Sequence, residues 1–219
     1  MLTAVRPWQR VQTLSTRQLA RFKLCVFVLA LWPLASLLYG AVNDALGANP
    51  IELITHKTGS WTFNFLLISL SITPLRALTG CHWLVRLRRM LGLFCFFYAV
   101  LHLTTYVWLD QFFDFAEITR DIFKRPFITV GVAAFLLLLP LALTSNHQAM
   151  RFLGGKRWQL LHRSVYAIGI LAALHYFWLV KITAIVYPLI YGVLLGFLLL
   201  WRVRARVLRA LKAASAGSE

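Results

Sequence analysis

Three histidines of this 219-residue chain lie inside long apolar runs: His102, His162 and His175. Ionisable side chains at membrane depth are rare and default to a functional reading. A single such imidazole can simply hydrogen-bond a neighbouring helix. Three within two apolar runs point further, to metal ligation, because neutral imidazole is a good iron ligand. His56, His82 and His147 fall outside those runs and read as solvated or interfacial.

Depth sorts the three. His102 lies about 12 residues past the start of its run, or ~18 Å into it. His175 lies about 17 residues past the start of its own, or ~25 Å. Both runs point the same way under the charge pattern below, so both rings belong to the same half of the membrane. Two imidazoles at one depth on facing helices suit a haem with two axial histidines. Leu101, Leu103, Leu174, Tyr176 and Phe177 offer apolar and aromatic neighbours. His162 is near the opposite surface, ~20 Å from His175 along the helix. An ideal helix rotates the two side chains about 220° apart, so His162 needs a kink to share a face with His175, or different partners. It is the candidate for a second, inner centre.

These side chains need helices that cross a membrane. The chain is 60% hydrophobic and 14% charged, with mean hydropathy +0.71. Soluble domains carry about 25% charged residues. Six runs approach the roughly 20 apolar residues that span a bilayer: 21–40, 61–78, 90–109, 126–144, 158–180 and 185–201. The expected architecture is an all-α integral membrane protein, a six-helix transmembrane bundle. The domain reading is a segment 1–20, a six-span haem-binding domain 21–201 and a basic tail 202–219 that ends in disordered small polar residues. The first run follows a basic segment without a clear cleavage site and reads as a retained anchor.

The net charge of +16 and pI of 10.8 would suggest nucleic acid in a soluble protein. Here the charges are sorted by connection. Arg6, Arg10, Arg17, Arg21 and Lys23 precede or open the first run. Arg76, Arg86, Arg88 and Arg89 join the second to the third. Arg151, Lys156 and Arg157 join the fourth to the fifth, and Arg202, Arg204, Arg206, Arg209 and Lys212 follow the sixth. The alternate connections hold only Lys57, Arg120, Lys124, Arg125 and Lys181, with Asp44, Glu52, Asp110, Asp114, Glu117 and Asp121. This is the positive-inside rule with both termini cytoplasmic. The basic clusters face membrane lipid rather than nucleic acid.

Other motifs carry less. Cys25, Cys81 and Cys95 form neither C-x-x-C nor C-x-x-C-H, which excludes a c-type haem and a zinc ribbon. Residues 110–126 alternate apolar and polar positions at helical spacing, consistent with a short surface helix or a solvated loop. Pro74 fits a helix end or kink. Gly192 and Gly196 form a G-x-x-x-G that reads as helix packing.

Several stretches carry a resemblance: His56-Lys-Thr-Gly59, Ile72-Thr-Pro-Leu-Arg76, Arg88-Arg-Met-Leu-Gly92, Leu101-His-Leu-Thr104, Lys124-Arg-Pro126, Gly155-Lys-Arg-Trp-Gln159, Leu161-His162 and Leu174-His175-Tyr176. From about Leu19 to Trp201 the chain resembles the MsrQ (YedZ) family. These are haem-binding membrane subunits of the periplasmic methionine sulfoxide reductase system, within the ferric-reductase-like transmembrane group. The resemblance implies that His102, His162 and His175 are the haem-associated and metal-ligating residues. It implies haem b (one or two), FMN, and a bacterial inner-membrane location. It implies a periplasmic molybdenum-containing reductase as heterodimer partner, with quinol or a cytoplasmic flavin reductase as donor. Such a system repairs oxidised methionines. The wider group carries two histidines on each of two helices; in the alignment Arg88 takes the place of one. About 18 residues follow Trp201 and no G-x-G-x-x-G is present, so the expectation is an electron-transfer subunit, not a self-contained NADPH-dependent enzyme. Basic loops (Arg86, Arg88, Arg89; Lys156, Arg157) are candidates for a flavin phosphate, or simply orient the chain.

Two other readings compete. A related cytochrome would use the same haem to reduce metal ions or oxygen at the outer face. A histidine-lined channel or proton-coupled transporter would bind no haem; Asn64, Ser69, Ser71 and Thr73 are the main further polar groups for such a path.

Overall fold

The computed structural model describes residues 14–180 and 182–216. Arg6, Arg10 and Lys181 of the charge pattern lie outside the described residues, as do the side chains of Arg209 and Lys212. Helix α1 spans Thr16–Val42, α2 Pro50–Thr79, α3 Arg88–Thr104, α4 Phe115–Lys124 and α5 Pro126–Leu143. Then come α6 His147–Leu153, α7 Gly155–His162, α8 Val165–Leu179 and α9 Val186–Ala216. No strand occurs among the described residues. Among the described residues, six segments are long and apolar enough to cross a membrane: α1, α2, α3 with its flanking turns, α5, the α7–α8 pair, and α9 to Leu208. The chain is a multi-pass membrane protein. Phe27, Val28, Leu29, Trp32, Leu136, Leu189, Leu194, Phe197 and Leu200 stay exposed on its flanks, where lipid is the natural solvent.

Helix α2 begins eleven residues earlier than the apolar run that marks it in the sequence. Asn49 caps it, accepting from the Glu52 N–H at 3.3 Å, and Pro50 supplies a preset first turn. It stops at Gly80, whose φ of 72° is left-handed. His56 is therefore an exposed helical residue and not part of a loop. Helix α3 ends in a π-helical stretch, Thr105–Asp110, directly after the turn carrying His102.

Aromatic packing joins α2 to α3. The Phe65 ring stacks on Phe94 and on Tyr98, each with centroids 5.4 Å apart. Tyr98 is 0% exposed and reaches α1. Its hydroxyl donates to the Ala30 carbonyl at 2.8 Å and accepts from the Leu34 N–H at 3.2 Å. Pro33 lies between those residues and brings no N–H of its own. The tyrosine thus enters the α1 backbone at its weakest point.

The surface helix expected between the third and fourth spans is α4. Asp114 caps it, accepting from the Glu117 N–H at 2.9 Å. Asp121, 3% exposed, anchors it inward: it accepts from the Tyr106 hydroxyl at 3.2 Å and pairs with Arg125 at 3.1 Å. The fifth span is not one helix. It breaks at Arg163–Ser164 between α7 and α8. The basic stretch after Trp201 is not a separate tail in the described residues, because α9 continues to Ala216.

Candidate functional site

The seam of the bundle lies between two helix pairs, α2 with α3 and α5 with α8, which make its closest packing. His102 projects from α3 and His175 from α8. Their ring centroids are 6.1 Å apart and their planes stand at 77°. Both side chains are half-buried.

Each ring is held by the helix beside its own. His102 Nδ1 is 3.0 Å from the Thr55 carbonyl on α2. His175 Nδ1 is 2.6 Å from the Phe127 carbonyl on α5. A carbonyl only accepts, so each Nδ1 carries the proton and donates. In the neutral ring this leaves the Nε2 lone pair available on both. One turn beyond each carbonyl stands a glycine. A Cβ on Gly59 would sit 3.1 Å from His102 Cε1, and one on Gly131 would sit 2.8 Å from His175 Nδ1. The same device, a carbonyl and then a glycine four residues on, seats both imidazoles.

A histidine nitrogen sits ~2.0–2.1 Å from a first-row metal, so two rings on opposite sides of one ion have centroids roughly 6 Å apart. The observed separation agrees. Among the described residues no three His, Cys, Asp or Glu side chains gather as a metal site. Two imidazoles alone suit a metal whose other ligands come with it, as in a haem. Carbonyls on ligand Nδ1 atoms are the usual outer partners that fix ring orientation and tautomer. The residues therefore fit haem by donor type, separation and second-layer support.

His162 is not brought to either ring. It ends α7, stacks on Trp158 with centroids 3.9 Å apart, and has Nε2 3.1 Å from Thr144 Oγ1. The Thr144 hydroxyl donates to the Pro140 carbonyl at 2.6 Å. Its oxygen therefore accepts from His162, whose Nε2 carries the proton. Trp158 Nε1 also donates to the Thr144 carbonyl, at 2.9 Å. His162 thus belongs to a clasp between the end of α5 and α7. Of the two options open in the sequence, the histidine has different partners from His175. Arg88 is close enough for its charge to bear on His162.

Sequence reasoning missed Thr55, Phe127, Gly59 and Gly131. The Asn49-Pro50-Ile-Glu52 start signal could have brought the first and third into α2.

A profile of the family described as ferric reductase like transmembrane component matches residues 58–173, which include His102 and His162 and end two residues before His175. A protein of Azospira oryzae described as protein-methionine-sulfoxide reductase heme-binding subunit MsrQ is 59% identical over 193 residues, 88% of this chain and 83% of that protein. The chain belongs to the MsrQ family. Relatives of the same description from Herminiimonas arsenicoxydans and Rhodospirillum rubrum are 53% and 52% identical, over 86% and 85% of this chain and 87% and 89% of theirs. No solved structure matches. MsrQ membership agrees with the six-span helical architecture and with the resemblance carried by the histidine-bearing stretches.

Proposed function

We propose that this MsrQ-family protein is a haem-b electron-transfer subunit, whose haem would be held by His102 and His175. The observation that supports it best is the ring pair at 6.1 Å, each Nδ1 tied to a backbone carbonyl. The haem, when bound, supplies reversible one-electron chemistry. The chain supplies the rest. Thr55 and Phe127 hold the rings in the tautomer that leaves Nε2 free. Gly59 and Gly131 let those rings lie against helix backbone.

The acceptor in this reading is a periplasmic molybdenum-containing methionine sulfoxide reductase, joined as a heterodimer. The donor is quinol or a flavin-linked cytoplasmic reductase, with FMN as a further cofactor. The resemblance to the family is what supports these elements. The orientation has both termini in the cytoplasm and the acidic end of the bundle in the periplasm, in the inner membrane of a bacterium. Neither a metal- or oxygen-reducing cytochrome nor a transporter is favoured, since the named relatives are haem-binding subunits of a reductase.

The test is a reduced-minus-oxidised spectrum of the purified protein with haem measured per chain. A b-type spectrum is expected for the wild type, lost in His102→Ala and in His175→Ala. An unaltered spectrum in either variant overturns the ligand assignment. One haem per chain is the expected ratio; two would require His162 to serve the second, through the Nδ1 lone pair that its bond to Thr144 leaves free.

A further inference from the structure

The sixth span buries a charge that nothing in the described protein neutralises. Arg202 is 7% exposed. Its guanidinium donates to the Leu198 carbonyl at 2.9 Å and to the Leu70 carbonyl on α2. It lies 5.6 Å from the centre of the Tyr166 ring on α8, and Arg206 lies 5.5 Å from the same ring. Arg202 also hydrogen-bonds the neutral Tyr166 side chain, and the charges of Arg88 and Arg206 both bear on it. Three cations thus gather where α2, α3, α8 and α9 meet at the basic end.

The acids among the described residues are all elsewhere. Asp44, Glu52, Asp110, Asp114, Glu117 and Asp121 stand at the opposite end of the bundle. The ion pairs among the described residues, Arg120 with Glu117 and Arg125 with Asp121, are there too. Carbonyl partners satisfy N–H groups but leave the net charge, and an uncompensated buried cation is costly. Charge sorting across a membrane explains exposed arginines at this end. It does not explain one withdrawn into the bundle beside two others.

We propose that Arg202, Arg88 and Arg206, with Tyr166 as floor, form an oxyanion site for a carboxylate or phosphate carried by a membrane-bound amphiphile. Guanidinium suits such groups because its planar fork pairs with two oxygens at once. The oxyanion comes either from the headgroup of an anionic phospholipid or from the acidic arm of a bound cofactor. The three-arginine cluster does not touch the ring pair; its lipid form stands whether or not His102 and His175 ligate haem, and its cofactor form rests on the proposed function.

The experiment compares the full-length wild type with Arg202→Gln and Arg206→Gln in two nanodisc compositions. One is phosphatidylcholine alone; the other is phosphatidylcholine and phosphatidylglycerol in equal parts. Thermal midpoint, haem and flavin per chain, and haem midpoint potential are read for each. Arg206 is exposed, so its variant reports on the site even if Arg202→Gln fails to fold. A lipid phosphate predicts a rise of about 5 °C with phosphatidylglycerol for the wild type, reduced in Arg206→Gln and absent in Arg202→Gln. A cofactor arm predicts no lipid response, with lower cofactor content or a shifted potential in the variants. If both variants match the wild type in lipid response, cofactor content and potential, the site is overturned and Arg202 is only a clamp between α9 and α2. If Arg202→Gln does not fold, a wild-type profile in Arg206→Gln alone overturns the three-arginine site.

Discussion

An alanine at Gly131 would put its Cβ 2.8 Å from His175 Nδ1 and 2.9 Å from Cε1, nearer than Cβ atoms come to other atoms. The imidazole would have to move, since backbone lies behind the Cβ. The same change at Gly59 brings contacts of 3.1 and 3.2 Å to His102, a milder conflict. Losing an outer partner of a metal ligand typically costs about 10- to 100-fold in affinity. We expect Gly131→Ala to weaken haem retention by about 10-fold and Gly59→Ala by clearly less, measured by haem transfer to an apo-globin acceptor. Equal retention in wild type and Gly131→Ala would show that the glycine does not seat the ring. At this scale the facing histidines were legible and their seats were not. An ionisable residue in an apolar run announces itself. A backbone carbonyl has no side-chain signature, and Gly59 stood in a stretch, His56-Lys-Thr-Gly, too polar to read as membrane helix.

Among the elements, α1 is pinned on either side of Pro33 by one tyrosine. Its exposed face carries Phe27, Val28, Trp32 and Leu38 toward lipid, and the Tyr98 hydroxyl holds the backbone on either side of Pro33. Tyr98→Phe keeps the ring stack on Phe65 and removes both hydrogen bonds. We expect a loss of about 1–2 kcal/mol, read as a lower thermal midpoint with haem per chain unchanged. A drop in haem content instead would tie α1 to the ring pair. Helices α1, α3 and α5 could be placed from hydropathy alone because their apolar runs nearly coincide with their lengths. The fifth span could not. The break at Arg163–Ser164 lies within a run that reads as continuous, and it is held by the Thr144 clasp, a contact between segments 18 residues apart. The extension of α9 to Ala216 was equally hidden, since a basic surface helix and a basic tail have the same composition.

At the scale of the whole molecule, charge sets orientation. The basic connections and both described ends lie on one side, the acidic loops with α4 on the other. We expect a fluorescent protein fused after Glu219 to light up in the cytoplasm. Alkaline phosphatase inserted between Gln111 and Asp114 should be active in the periplasm. The reverse pattern would invert the proposed direction of electron flow.

The repeated seat of the two imidazoles bears on how such a protein is made. His102 is fastened wholly within the α2–α3 hairpin and His175 wholly within the α5–α8 hairpin. Each hairpin can leave the insertion machinery with its ring already aimed, before the other exists. If both rings hold one haem, as proposed, the two halves would be riveted together late, each already prefabricated.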